Sequence, residues 1–170
     1  MPETKDLILR KAVQEDWYHM YHNIWRHAES ARYMVWKVTE SEADAQSRME
    51  RTIAFQASHE HHWTVVEKAS GQAIGWAGLE VLRPGVCGET GVAIGPAFTG
   101  KGYGKQILNA LCNYARDALG AKSFVAGYRE GNTASKRLQE SCGFTYSHRE
   151  EKTDPRSGLP YAIIYSVKEL

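Results

Sequence analysis

Only three cysteines occur in 170 residues, Cys87, Cys112 and Cys142, widely separated and without a CxxC pair. An odd, scattered set argues against a disulfide framework and against a zinc site, and for a reducing compartment, the cytoplasm. No stretch approaches the ~18 apolar residues of a membrane span. The charged beginning PETKDLILRKAV holds only the short run LIL, too little for a signal sequence. Neither sign of charge dominates, with 21 Lys+Arg against 20 Asp+Glu. No block of like charge marks a nucleic-acid or membrane footprint. Internal repeats and low-complexity linkers are also lacking. These exclusions leave a soluble chain, 1–170, of the size of one domain, expected to bury about 70% of its unfolded surface.

Periodicity supplies the elements. Leu7 to Val13 reads as a first strand. From Glu15, the residues Trp17, Met20, Tyr21, Ile24, Trp25 and Ala28 fall at helical spacing, with Asp16 as the cap of one amphipathic helix. Thr39 or Ser41 opens a second helix, with Glu42 and Asp44 in its first turn and Met49, Ile53 and Phe55 along it. His62 to Glu67 and Gln72 to Leu82 form a hairpin around Ala69-Ser70-Gly71. A strand ends at Gly91 to Ile94, a helix runs from Gly102 to Leu119 and stops at Gly120, and Lys122 to Tyr128 is the next strand. Thr133 to Ser141 forms a short helix, and Tyr161 to Val167 the last strand. The intervening loop TDPRSGLP turns at Asp154-Pro155 and again at Gly158-Leu159-Pro160. The fold class is α/β (α+β).

The stretch GVAIGPAFTGKGYGKQIL, Gly91 to Leu108, holds five glycines where a strand gives way to a helix. A Walker A loop requires Ser or Thr after its GK, and here Gly102 follows Lys101, while Pro96 removes an amide from the cradle. A dinucleotide fingerprint requires GxGxxG inside a βαβ unit, and the spacing here is GxGxG. A nest of successive N–H groups at a helix N-terminus remains, suited to a pyrophosphate, with Lys101 and Lys105 adding charge from the rim.

Thr99-Gly100-Lys101-Gly102-Tyr103-Gly104, following the strand Gly91 to Ile94, resembles the acyl-CoA loop of the GNAT superfamily of N-acetyltransferases. That loop reads Arg or Gln, two residues, Gly, one residue, then Gly or Ala. Asn132-Thr-Ala-Ser135, with Leu138 and Cys142-Gly143-Phe144, resembles the later element of the same family. Its Asn-x-x-Ser form is most similar to the branch holding the ribosomal-protein N-terminal acetyltransferases. Thr99 departs from the pattern where Arg or Gln is usual. The resemblance implies a mixed, mostly antiparallel sheet of six to seven strands with flanking helices and a splayed central pair. Into the splay the pantetheine arm of acetyl-CoA lies as a short extra strand. It further implies that Val92, Ala93 and Ile94 line the arm, that residues Thr99 to Gly104 and Lys105 hold the pyrophosphate, and that Asn132 and Ser135 reach the arm from the other side. The turn between the first two helices, with Tyr33, Met34 and Trp36, then contacts the acceptor amine.

Acyl transfer to an amine needs a base, a stabilised oxyanion and a proton for the thiolate. Glu89 is the candidate base, two residues before Gly91 and, by strand period, on its face. The alternative is an ordinary solvent-facing strand residue. Aligning Asn132 with Gly143-Phe144 puts Gln139 where relatives carry an acidic tyrosine, and Ser135 is the substitute acid unless it caps its own helix turn. His148 is held in reserve as a base. His59, His61 and His62 suggest no metal, because adjacent strand residues point to opposite faces. The expected activity is acetyl-CoA-dependent N-acetylation of a peptide or protein N-terminus or a small amine. The alternative is a CoA-binding regulatory module with little turnover. No nucleic acid or membrane partner is expected, and homodimerisation is left open.

Overall fold

The computed structural model describes residues 2–34, 36–154 and 157–170. Strand β1 (Leu7–Arg10) is followed by helix α1 (Asp16–Met20), a π-helical turn (Tyr21–Trp25), α2 (Ala28–Ala31) and α3 (Glu42–Ser58). Strands β2 (His62–Glu67), β3 (Ala73–Arg83) and β4 (Val86–Ile94) lead to α4 (Tyr103–Leu119). Then come β5 (Ser123–Arg129), α5 (Thr133–Ser141), β6 (Thr145–Thr153) and β7 (Pro160–Glu169).

The strands form one seven-stranded sheet in the order β1-β2-β3-β4-β5-β7-β6. Every neighbouring pair is antiparallel except β4 and β5. Helix α4 buries Ile107, Leu108, Leu111 and Ala115 against one face, over Trp63, Val65, Leu79 and Phe124. On the other face, Met20, Ile24 and Trp25 meet Ala45 and Met49 of α3. The hydrophobic effect thus builds two cores, one on each side of β1 to β4.

Three features differ from the sequence-based expectation. The single early helix is broken: Arg26 N–H donates to the carbonyl of Tyr21, five residues back, and His27 is extended. The wide turn lets consecutive Ile24 and Trp25 both face inward. Asp16 does not cap that helix, because its carboxylate takes both guanidinium nitrogens of Arg10 at 2.7 Å. Strand β6 was not expected, since its residues are almost all exposed and polar, and alternation therefore carries no signal. Ser41, rather than Thr39, caps α3, its Oγ accepting from Asp44 N–H at 3.1 Å. Part of the Asp154-Pro155 turn lies outside the described residues.

Candidate active site between two parting strands

Strands β4 and β5 pair only at Val86↔Ser123, Cys87↔Phe124 and Gly88↔Val125. Beyond Gly88 they part, so β4 from Glu89 to Ile94 offers its free side to a slot. Gly95 N–H donates to Ile74 of β3 at 2.8 Å. Because amide direction alternates along a strand, the amides of Val92 and Ile94 face away from β3, into the slot, while that of Ala93 faces β3. Ala93 therefore offers the slot no donor.

At the mouth of the slot the chain turns through a short 3-10 helix, Pro96–Phe98, and enters α4. Gly100 and Gly102 both lie in the left-handed region, at φ 77° and 78°, and a Cβ built on either would meet nothing within 4 Å. Bare backbone there faces open space. Among the described residues, the amides of Gly100 to Lys105 have no backbone acceptor, which leaves a contiguous set of donors at the positive end of a helix.

The flanking side chains divide sharply. Thr99 is tied to its own turn, with its hydroxyl donating to Pro96 O at 2.8 Å and its N–H donating to the same carbonyl at 3.2 Å. Lys101 does not stand free at the rim, because its ammonium pairs with Glu67 at 3.3 Å. Glu67, almost buried, also accepts from Tyr103 Oη at 2.6 Å and Ser70 Oγ at 2.7 Å. The Tyr103 bond foremost, then that of Ser70, holds its carboxyl below the usual range. Lys105 makes no side-chain hydrogen bond or ion pair among the described residues. Glu67 carried no signal in the sequence, since its role depends on β2 ending beside the start of α4.

Asn132 caps α5, its Oδ1 accepting from Ser135 N–H at 3.1 Å. The capping role considered for Ser135 thus belongs to Asn132, and the Ser135 hydroxyl has no partner among the described residues. Leu138 of α5 packs beside Gly104 of α4, which sets α4 and α5 side by side along the slot. Gln139 is buried and accepts from Ser166 Oγ at 2.5 Å, a link between α5 and the sheet. His148 lies out on β6, stacked on Tyr165 at 4.7 Å.

Glu89 occupies the crotch of the slot, one residue past the last β4–β5 pair. Its expected placement beside Gly91 is corrected by a bulge: Leu79 pairs with Glu89 but Gly78 pairs with Gly91, so Thr90 is an extra residue. Paired residues share a face, and Leu79 belongs to the α4 side. Glu89 therefore turns toward α4 with Val92, while Gly91 lies over Trp76 on the opposite side. Burial raises the Glu89 carboxyl to about 7, against a lowering bond from the Val92 amide. The residue reaches solvent in part, yet its carboxyl is enclosed by protein atoms.

On the acceptor side, Tyr33 Oη donates to Gly131 O at 3.3 Å, joining the α2–α3 connection to the turn before Asn132. Met34 is half-buried in the same connection. Trp36 packs under the Arg48 guanidinium at 4.7 Å, and Arg48 also covers Trp25 at 4.5 Å. Burial foremost, then Arg51, draws Arg48 down to about 10.

A splayed parallel pair, a glycine nest opening a helix and a capping asparagine on the next helix are the features of the GNAT fold. The family model "Acetyltransferase (GNAT) domain" matches residues 6–145, and the chain belongs to that family. Among curated proteins, it is 44% identical over 70 residues to the L-methionine sulfoximine/L-methionine sulfone acetyltransferase of Salmonella typhimurium, covering 41% of this chain and 39% of the relative. It is 38% identical over 53 residues to the [ribosomal protein bS18]-alanine N-acetyltransferase of Haemophilus ducreyi, covering 31% of this chain and 36% of the relative. These matches thus span well under half of either relative. In structure, the chain is similar to the Microcin C7 self immunity acetyltransferase MccE, solved in complex with acetyl-CoA and AMP. There the TM-score is 0.81 at 19% identity, covering 98% of this chain and 94% of the other.

Proposed function

We propose that the chain, 1–170, is an acetyl-CoA-dependent N-acetyltransferase acting on a primary amine. The observation that carries this reading is the slot itself: the amides of Val92 and Ile94, facing away from β3, lead from a donor nest at Gly100 to Gly104 to a carboxyl raised to about 7. Acetyl-CoA would supply the activated acyl group. The nest amides and Lys105 bind its pyrophosphate, Asn132 Nδ2 faces the arm from α5, and Val92 N–H polarises the thioester carbonyl. Glu89 takes a proton from the incoming ammonium, directly or through water.

The amine then attacks the carbonyl carbon, a C–N bond forms, and the tetrahedral oxyanion rests on backbone amide. Collapse breaks the C–S bond. The proton left on the nitrogen passes to the departing thiolate, of ordinary pKa ~8.5, directly or relayed through the Ser135 hydroxyl. In the free protein the Glu89 carboxyl holds the Val92 amide. A thioester carbonyl that takes that amide removes the carboxylate's stabilising bond and makes it more basic when a base is needed.

The acceptor is a small amino compound or a peptide N-terminus, met by Tyr33, Met34 and Trp36. The curated relatives support both kinds, one named for amino-acid derivatives and one for a protein alanine. The unpaired cysteines support a cytoplasmic setting. A thiol-release assay with acetyl-CoA tests the reading against amino acids, polyamines and short peptides. At least one class should accelerate CoA release over buffer. Tight acetyl-CoA binding with no acceleration by any class would instead mark a CoA-binding module.

A further inference from the structure

The bulge that turns Glu89 toward α4 is held by a side chain from another strand. Thr90, the extra residue, lies on the α3 side with its hydroxyl 2.8 Å from His62 Nε2 of β2. Between them runs Gly78 of β3. A Cβ on Gly78 would come within 2.4 Å of the imidazole and 2.5 Å of the Thr90 hydroxyl, so only glycine leaves room for the bond to cross the strand. The imidazole is fixed from behind by Phe55 at 4.9 Å and His59 at 5.4 Å, both edge-on. His62 Nδ1 is buried without a hydrogen-bond partner among the described residues. The fold tolerates such a buried polar atom while the other nitrogen holds Thr90.

We propose that His62 and Thr90, clasped over Gly78, are positioning residues that fix the β4 bulge and thereby aim the Glu89 carboxyl into the slot. Register gives the reason. With strict alternation back from Val92, position 90 would face α4 and position 89 would face α3. One extra residue, pinned on the α3 side, reverses this and brings Glu89 onto the face of Val92.

The clasp stays neutral. Burial foremost, then the charges of His59, Lys11 and His61, lowers His62 to about 4, so the bond persists across the working pH range. Cys112 on α4 interacts with Glu89, and burial pushes its thiol up to about 11, so it carries no charge near neutrality.

The inference rests on Glu89 being the base, and the test separates the two. The pH dependence of kcat/KM and the affinity for CoA are measured in T90V, T90S, H62F and E89Q. H62F keeps the ring packing on Phe55 while removing Nε2. T90V and H62F should each lower kcat/KM at least tenfold and displace the inflection near pH 7. CoA affinity should stay within twofold, because the nest is untouched, and T90S should restore the wild-type profile. Wild-type profiles in T90V and H62F, with E89Q impaired, overturn the clasp and leave the base. A wild-type profile in E89Q overturns the base itself. If T90V fails to fold, H62F against T90S decides the matter.

Discussion

At the scale of single residues, the chemistry turns on where carboxyls are kept. Glu89 and Glu67 are both shielded, yet they are driven in opposite directions. Glu67 collects a phenol, a hydroxyl and an ammonium and stays ionised, whereas Glu89 receives one amide and is raised to about 7. Only the second can take up a proton near neutrality. In E89Q, kcat/KM should fall by roughly 10²–10⁴ and lose its rise through pH 7, as read from initial rates across pH. Stability gives an independent check. The folded pKa lies above the ordinary 4.5, so between pH 4.5 and 7 the native state holds a proton that the unfolded chain has released. Stability therefore falls as pH rises through that window. Removing the titration should raise the unfolding free energy above pH 7 by at most about 3 kcal/mol, less where water reaches the residue, and leave it unchanged at pH 4. Denaturant titrations at the two pH values would read this directly.

At the scale of elements, the nest is the part most legible in the sequence, because glycine is required by local backbone. Gly102 sits at φ 78° with open space before it. G102V should strain the turn by about 1–2 kcal/mol and place a branched side chain in the proposed diphosphate site. CoA affinity should drop at least a hundredfold by calorimetry while the far-UV spectrum is retained. Unchanged affinity would put the anion site elsewhere. The helices α3, α4 and α5 and the strands around the slot are similarly legible, since each has caps or apolar periodicity of its own. What sequence could not show is relational. The bulge at Thr90 depends on three strands meeting, the partner of Lys101 comes from β2, and β6 is exposed along nearly its whole length. No window of local pattern contains those facts, and the face of Glu89 was misjudged for the same reason.

At the scale of the molecule, three residue pairs join β1 to β4 with the β5–β7–β6 block. The seam is also bridged by α4, by the packing of α5 on α4, by the amides of Lys122 and Ser123 donating to Gly85 O, and by the Tyr33–Gly131 bond. Slowly exchanging amides should accordingly fall into two islands, with Val92 and Ile94 of β4 exchanging faster than the β2–β3 pairs behind them. Saturating CoA should protect those amides selectively, as followed by hydrogen exchange. Protection confined to α4 would mean that the arm does not enter the slot.

A sheet of this width must also end somewhere, and its far margin is β6. There Arg149 holds Glu130 and Glu151 while Lys152 holds Glu150. A further strand could add to that margin only by stripping water from this chain of ion pairs, without new apolar surface to offset the loss. The charged border thus guards against open-ended stacking of one molecule on the next. It also directs any self-association to a surface other than the β6 rim of the sheet.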